Sequence, residues 1–149
     1  METKISTINA VLQDTTQVAV RFNEADPLGI VWHGHYVRYF EDGRESFGKR
    51  YGFTYLDCYA HGLAIPVVSI QCEYKKALRY GDTVTIETTF VSKKATKLFF
   101  TYRILNGEGE LVALGSTVQV FVEVKTFQLQ LTNPAFFEDW KTKWKLDRK

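Results

Sequence analysis

Apolar and polar positions alternate with period two near the start of this chain and through its second half. Between them lies one long stretch of helical spacing. Val18, Val20 and Phe22 alternate with Gln17, Ala19 and Arg21, which predicts a half-buried strand. Residues 1–14 lack clear periodicity and carry no assignment. Residues 23–34 contain Pro27, Gly29 and Gly34 and read as a loop. From about His33 to Tyr51, the residues Tyr36, Phe40, Phe47 and Tyr51, joined by Val37, recur at helical spacing, with Arg38, Glu41, Asp42, Glu45 and Lys49 on the polar side. Gly43 and Gly48 lower the helix propensity, yet such small residues let a helix approach a sheet closely. A shorter helix is expected over Tyr55 to Tyr59, ending by Gly62.

After Pro66 the pattern becomes that of strands. Val68, Ile70, Cys72 and Tyr74 alternate with polar neighbours, as do Val84, Ile86, Thr88 and Phe90. Residues 98–105 alternate less clearly, which suggests a strand covered on both faces. Asn106-Gly107-Glu108-Gly109 is a hairpin turn signal. A long strand follows over 111–122, with Val112, Leu114, Val118, Val120 and Val122 expected on one face. Pro134 then opens a terminal helix with Phe136, Phe137, Trp140 and Trp144 on one side. The order of strand, long helix and four strands predicts an α+β fold, a single domain over 1–149. In it one antiparallel sheet of five strands wraps a long central helix. One helix covers only part of such a sheet, so a homo-oligomer is expected.

Composition narrows the function. Hydrophobic residues make up 45% and charged residues 24%, as in ordinary soluble domains, while aromatics at 15% are abundant enough for an apolar ligand channel. The net charge of +2 is spread among interleaved acids and bases, which argues against nucleic acid as a partner. No membrane-spanning run and no signal peptide is read, and a cytoplasmic location is expected. Cys58 and Cys72 have neither disulfide nor metal-ligand spacing and are expected in the core.

The chemistry concentrates in Asn23-Glu24-Ala25-Asp26-Pro27-Leu28-Gly29-Ile30-Val31-Trp32-His33-Gly34-His35-Tyr36, between the first strand and the long helix. A carboxylate just before a helix start can attack a carbonyl or activate water against it. The unpaired N–H groups of that helix end hold the developing oxyanion. Taken alone, Asp26 reads first as a turn or capping residue, and it is the whole constellation with the helix start that turns the reading to catalysis. His33-Gly34-His35 with Asp26 has a spacing that permits a metal ion, but no second ligand pair accompanies it.

The run Asp26 to His33, followed by Tyr36, Phe40, Glu41 and Arg44, with Tyr80-Gly81-Asp82 and Gly115-Ser116-Thr117 further on, resembles the hot-dog-fold acyl-CoA thioesterases of the 4-hydroxybenzoyl-CoA thioesterase type. The resemblance covers nearly the whole chain. It implies a dimer or tetramer that hydrolyses an acyl-CoA thioester without metal or other cofactor. Asp26 falls on the family's catalytic aspartate, and His33 on a histidine many relatives carry at the first helical turn. The oxyanion contact is implied at the backbone of His33 and Gly34. The turn with Lys93, Lys94 and Lys97, which taken alone reads as a solvated hairpin turn, corresponds to a region that in relatives meets the coenzyme A nucleotide. His35 replaces a usual asparagine, and Lys76 stands where many relatives have proline. Glu41 and Glu45 read as a solvated or Arg44-paired face, and the tail Lys141, Lys143, Lys145, Arg148 and Lys149 as solvated. Two rival readings are an acyl carrier protein thioesterase and a non-catalytic acyl-binding module; the Asp26 constellation speaks against the second.

Overall fold

In the computed structural model, which describes residues 11–146, β1 (Val11–Ala19) leads through a loop with two short 3-10 turns, Phe22–Glu24 and His33–His35, into α1 (Tyr36–Tyr51) and α2 (Tyr55–Ala60). The strands β2 (Leu63–Ala64), β3 (Val67–Tyr74), β4 (Thr83–Val91), β5 (Leu98–Leu105), β6 (Leu111–Gln119) and β7 (Val122–Glu123) follow, then α3 (Ala135–Lys143). Five strands form one antiparallel sheet in the order β1-β4-β5-β6-β3, and β2 pairs with β7. A long helix against a five-stranded sheet is the architecture the sequence pattern predicts. Among the described residues no helix is long and apolar enough to cross a membrane.

The stripe on α1 is buried as its spacing demands: Tyr36, Phe40, Phe47 and Tyr51 lie in the core, joined by Tyr39. The helix sits so close to the sheet that a Cβ on Gly43 would stand 2.2 Å from Thr88 Oγ1. Its last carbonyl, on Tyr51, accepts two indole N–H groups from the end of the chain, Trp140 at 2.8 Å and Trp144 at 3.0 Å. That contact satisfies an acceptor which every helix end leaves open and fixes α3 against α1.

Three sequence expectations change. The first strand runs over 11–19 and stops short of Phe22, which is 78% exposed. Its inward face is Leu12, Asp14, Thr16 and Val18, opposite Phe90, Thr88, Ile86 and Val84. Two polar residues therefore sit on the buried side, and Asp14 is satisfied there by Ser46 Oγ at 2.6 Å. The strand β5 is buried on one face only, through Leu98, Phe100, Tyr102 and Ile104. Along β6 the expected phase is inverted. Ala113, Gly115, Thr117 and Gln119 pair with those inward residues of β5, while Leu114 and Val118 pair with Arg103 and Phe99 on the other face. Phe40 fills the space above Gly115, where a Cβ would lie 2.1 Å from its Cζ. The irregularity between Ile104 and Leu105 shifts the register, so Val112 is buried as well.

The helix lies over the β1 and β4 side of the sheet. Ile70, Cys72 and Tyr74 of β3 pair with Thr117, Gly115 and Ala113, and thus face the same side as the helix. Tyr74 meets the Tyr36 ring at the start of α1 edge-on at 5.0 Å, yet Val68, Ile70 and Tyr74 remain exposed. Cys58 is fully buried, as expected, and Cys72 is partly so.

Candidate active site

The Asp26 loop is a small closed hairpin. Ala25 and Val31 bridge, the Asp26 N–H donates to Ile30 O at 2.8 Å, and Gly29 donates to Asp26 O at 2.8 Å. Asp26 also accepts two N–H groups on its side chain, from Leu28 at 2.9 Å and Ile30 at 3.4 Å, both on Oδ1. Gly29, at φ 82°, makes the turn in a conformation that favours glycine. Val31 donates to Leu78 O at 2.7 Å, which ties the loop to the segment before β4.

Past the loop, the chain enters the 3-10 turn His33–His35 and continues as α1. The first N–H groups of such a turn have no partner within it, and His33, at its start, lines the same groove as Asp26. The Trp32 ring lies across Gly34; a Cβ there would meet Trp32 carbons at 2.1–2.6 Å, so only glycine fits beneath the indole. The His33 carbonyl accepts the Tyr74 hydroxyl at 2.9 Å, and the His33 ring meets Tyr74 edge-on. The Tyr36 hydroxyl reaches Lys76 O at 3.4 Å. Asp26, Trp32, His33, Tyr36, Tyr74 and Lys76 thus line one groove.

Glu24, which the sequence reading passed over, anchors this assembly. Its side chain is fully buried and ion-paired with Arg21. It accepts the Arg21 N–H at 2.9 Å and the Tyr39 hydroxyl at 2.8 Å. Burial pushes its pKa up, but the hydrogen bonds from the Arg21 backbone, Tyr39 and the Arg21 guanidinium, with the guanidinium charge, outweigh burial and hold it below 4.5. Burial, reinforced by that carboxylate, pushes the Tyr39 phenol far up. Arg21 also reaches Asp42 on α1 at 3.5 Å.

A second groove, toward the far end of α1, is lined by Glu41, Arg44, Tyr55, Leu98, Phe100 and Gln119. Arg44 donates to the Tyr102 hydroxyl at 2.8 Å, and Tyr102 bonds Thr117 at 2.6 Å. Glu45 pairs with Lys49. Of the two readings for Glu41 and Glu45, the solvated one holds: both are exposed, and Arg44 turns to the sheet instead of pairing with them.

The structure places Asp26 and His33 on one groove, with Gly34 next along the chain against the Trp32 ring, and sets Lys93, Lys94 and Lys97 apart. The loop joins the sheet where Val20 donates to Asp82 O, just before β4. The three lysines lie after the other end of that nine-residue strand, about 30 Å away at the usual strand rise. They are exposed, and Lys93 Nζ sits 4.3 Å from the centre of the Phe99 ring. Lys141, expected in solvent, is buried instead and donates to Lys93 O at 3.3 Å. Arg148 and Lys149 fall outside the described residues. Among the described residues, no cluster of three or more His, Cys, Asp or Glu side chains is placed to hold a metal ion.

Known proteins resemble this chain in sequence and in fold. Residues 20–144 match the Thioesterase-like superfamily. A putative acyl-CoA thioesterase of Bacillus subtilis, YneP, is 34% identical over 89% of this chain and 96% of its own length. The Escherichia coli acyl-CoA thioester hydrolase YbgC is 30% identical over 71% of this chain and 79% of its own. The crystal structure of a DHNA-CoA thioesterase from Staphylococcus aureus superposes with a TM-score of 0.82 at 28% identity, over 89% of each chain.

Proposed function

The chain belongs to the thioesterase-like superfamily, and we propose that it is an acyl-CoA thioesterase in which Asp26 attacks the thioester carbonyl, or activates water against it, while the N–H groups of His33 and Gly34 hold the oxyanion. The observation that carries this reading is the placement of a half-buried carboxylate and an open helix start in one groove. Charge developing on the carbonyl oxygen would meet donors already in place and the positive end of α1. Coenzyme A leaves as a thiolate, a good leaving group, so the demand falls on the nucleophile and the oxyanion. His33, exposed at the mouth of the groove, is placed to bond the substrate oxygen or the attacking water.

The active form we propose is a two-fold dimer joined along β3. This strand lies at the edge of the sheet and carries Val68, Ile70 and Tyr74 exposed, a combination that a second copy would bury. Antiparallel pairing of two β3 strands sets the Tyr74 end of one against the Val67 end of the other. The Asp26 groove of one subunit then faces the second groove and lysine turn of its mate. That arrangement accounts for a site whose parts lie at opposite ends of one chain.

The experiment is a hydrolysis screen of the purified protein against acyl-CoA and acyl carrier protein thioesters, read by release of free thiol. Turnover of acyl-CoA substrates is expected, and release from none of them would leave only a binding module.

A further inference from the structure

We infer that Glu24 is a positioning residue for Asp26: its buried carboxylate clamps the base of the Asp26 hairpin to α1 and so fixes Asp26 against the N–H groups of His33 and Gly34. The inference rests on the reading of Asp26 just given and extends it to a residue that does not face the groove.

The geometry has two halves. On the main chain, Glu24 O accepts the Trp32 N–H at 3.2 Å, and the next residue, Ala25, bridges Val31. Everything between, including Asp26, hangs from that base. On the side chain, Glu24 bonds Tyr39, a fully buried residue of α1, and holds Arg21, whose other nitrogen reaches Asp42 on the same helix. The hairpin base is thereby tied to α1 through directional bonds one turn beyond Tyr36. Burying a carboxylate is costly, and apolar packing usually stabilises as well or better. What the polar clamp supplies is a fixed direction, which apolar contacts do not impose. A shift of about 1 Å at reacting groups can lower a rate about a hundredfold.

The test compares kcat and KM of Glu24→Gln, Tyr39→Phe, Asp26→Asn and Glu24→Gln combined with Asp26→Asn, all well below the melting transition of every variant. Glu24→Gln is expected to lower kcat about 10- to 100-fold with KM within about threefold of the parent. Tyr39→Phe should shift kcat in the same direction by less. On the Asp26→Asn background, Glu24→Gln should cost no more than about a further twofold, because there is no carboxylate left to position. Parental kcat in Glu24→Gln, or an equal loss on both backgrounds, overturns the inference and leaves Glu24 a structural residue. Should Glu24→Gln fail to fold, Tyr39→Phe, which removes one hydroxyl, carries the same comparison. If Asp26→Asn alone keeps parental kcat, it is the reading of Asp26 that falls, and the clamp loses its object.

Discussion

Asp26 Oδ1 accepts the N–H groups of Leu28 and Ile30 in its own loop. An asparagine can offer the same acceptor in the same place. Asp26→Asn should therefore keep the hairpin and its melting temperature while removing the basic, nucleophilic group. Loss of general-base help lowers a rate by about 10²–10⁴-fold, and this is the drop in kcat expected on the best thioester. Steady-state kinetics beside a thermal melt checks it, and near-parental kcat would remove Asp26 from the chemistry. The residues of this site differ in how legible they are. Asp26, Gly29, His33 and Gly34 stand out because a Pro/Gly turn before an apolar helical stripe announces a helix start. Glu24 does not, since a buried carboxylate looks polar in sequence and its partner Tyr39 is 15 positions away.

Periodicity served α1 and β4 well, because each turns one regular face to the core, aromatic along α1 and Val84, Ile86, Thr88 and Phe90 along β4. It failed along β6, where the apolar residues Leu114 and Val118 lie on the outer face and the inward positions are Ala113, Gly115, Thr117 and Gln119. Those small and polar residues are inside because the room above them is taken: Phe40 stands over Gly115, and the Tyr102 hydroxyl satisfies Thr117. The core decided the phase. The same logic hid the first half of β1, whose inward Asp14 is paid for by Ser46. A substitution follows from the packing. Gly115→Val would drive its side chain into Phe40, and overpacking of this kind costs about 1–3 kcal/mol. Ser116→Val, next along the strand and on the outer face opposite Thr101, should stay within about 0.5 kcal/mol of the parent. Urea denaturation of the two variants distinguishes the faces, and equal effects would restore the phase that the sequence suggests.

At the scale of the molecule, the lysine turn is legible as a charge cluster, but its distance from Asp26 is not, because separation across a sheet follows from topology. Within one chain, Lys93, Lys94 and Lys97 stand a full strand length from the groove they are expected to serve. The proposed dimer removes the conflict and makes it testable. Neutralising all three lysines should raise KM for acyl-CoA and weaken its salt dependence while kcat stays nearly constant, since phosphate contacts act equally on ground and transition states. The decisive measurement mixes this variant with Asp26→Asn under conditions that exchange subunits. If each site joins the loop of one subunit to the lysines of the other, a mixed dimer holds one doubly defective site and one intact site. Low-KM activity then returns on mixing, above that of either variant alone. If each site is built within one chain, every mixed dimer has one site lacking Asp26 and one lacking the lysines, and nothing returns. A protein that sediments as a monomer at micromolar concentration would rule out the shared site before any mixing is done.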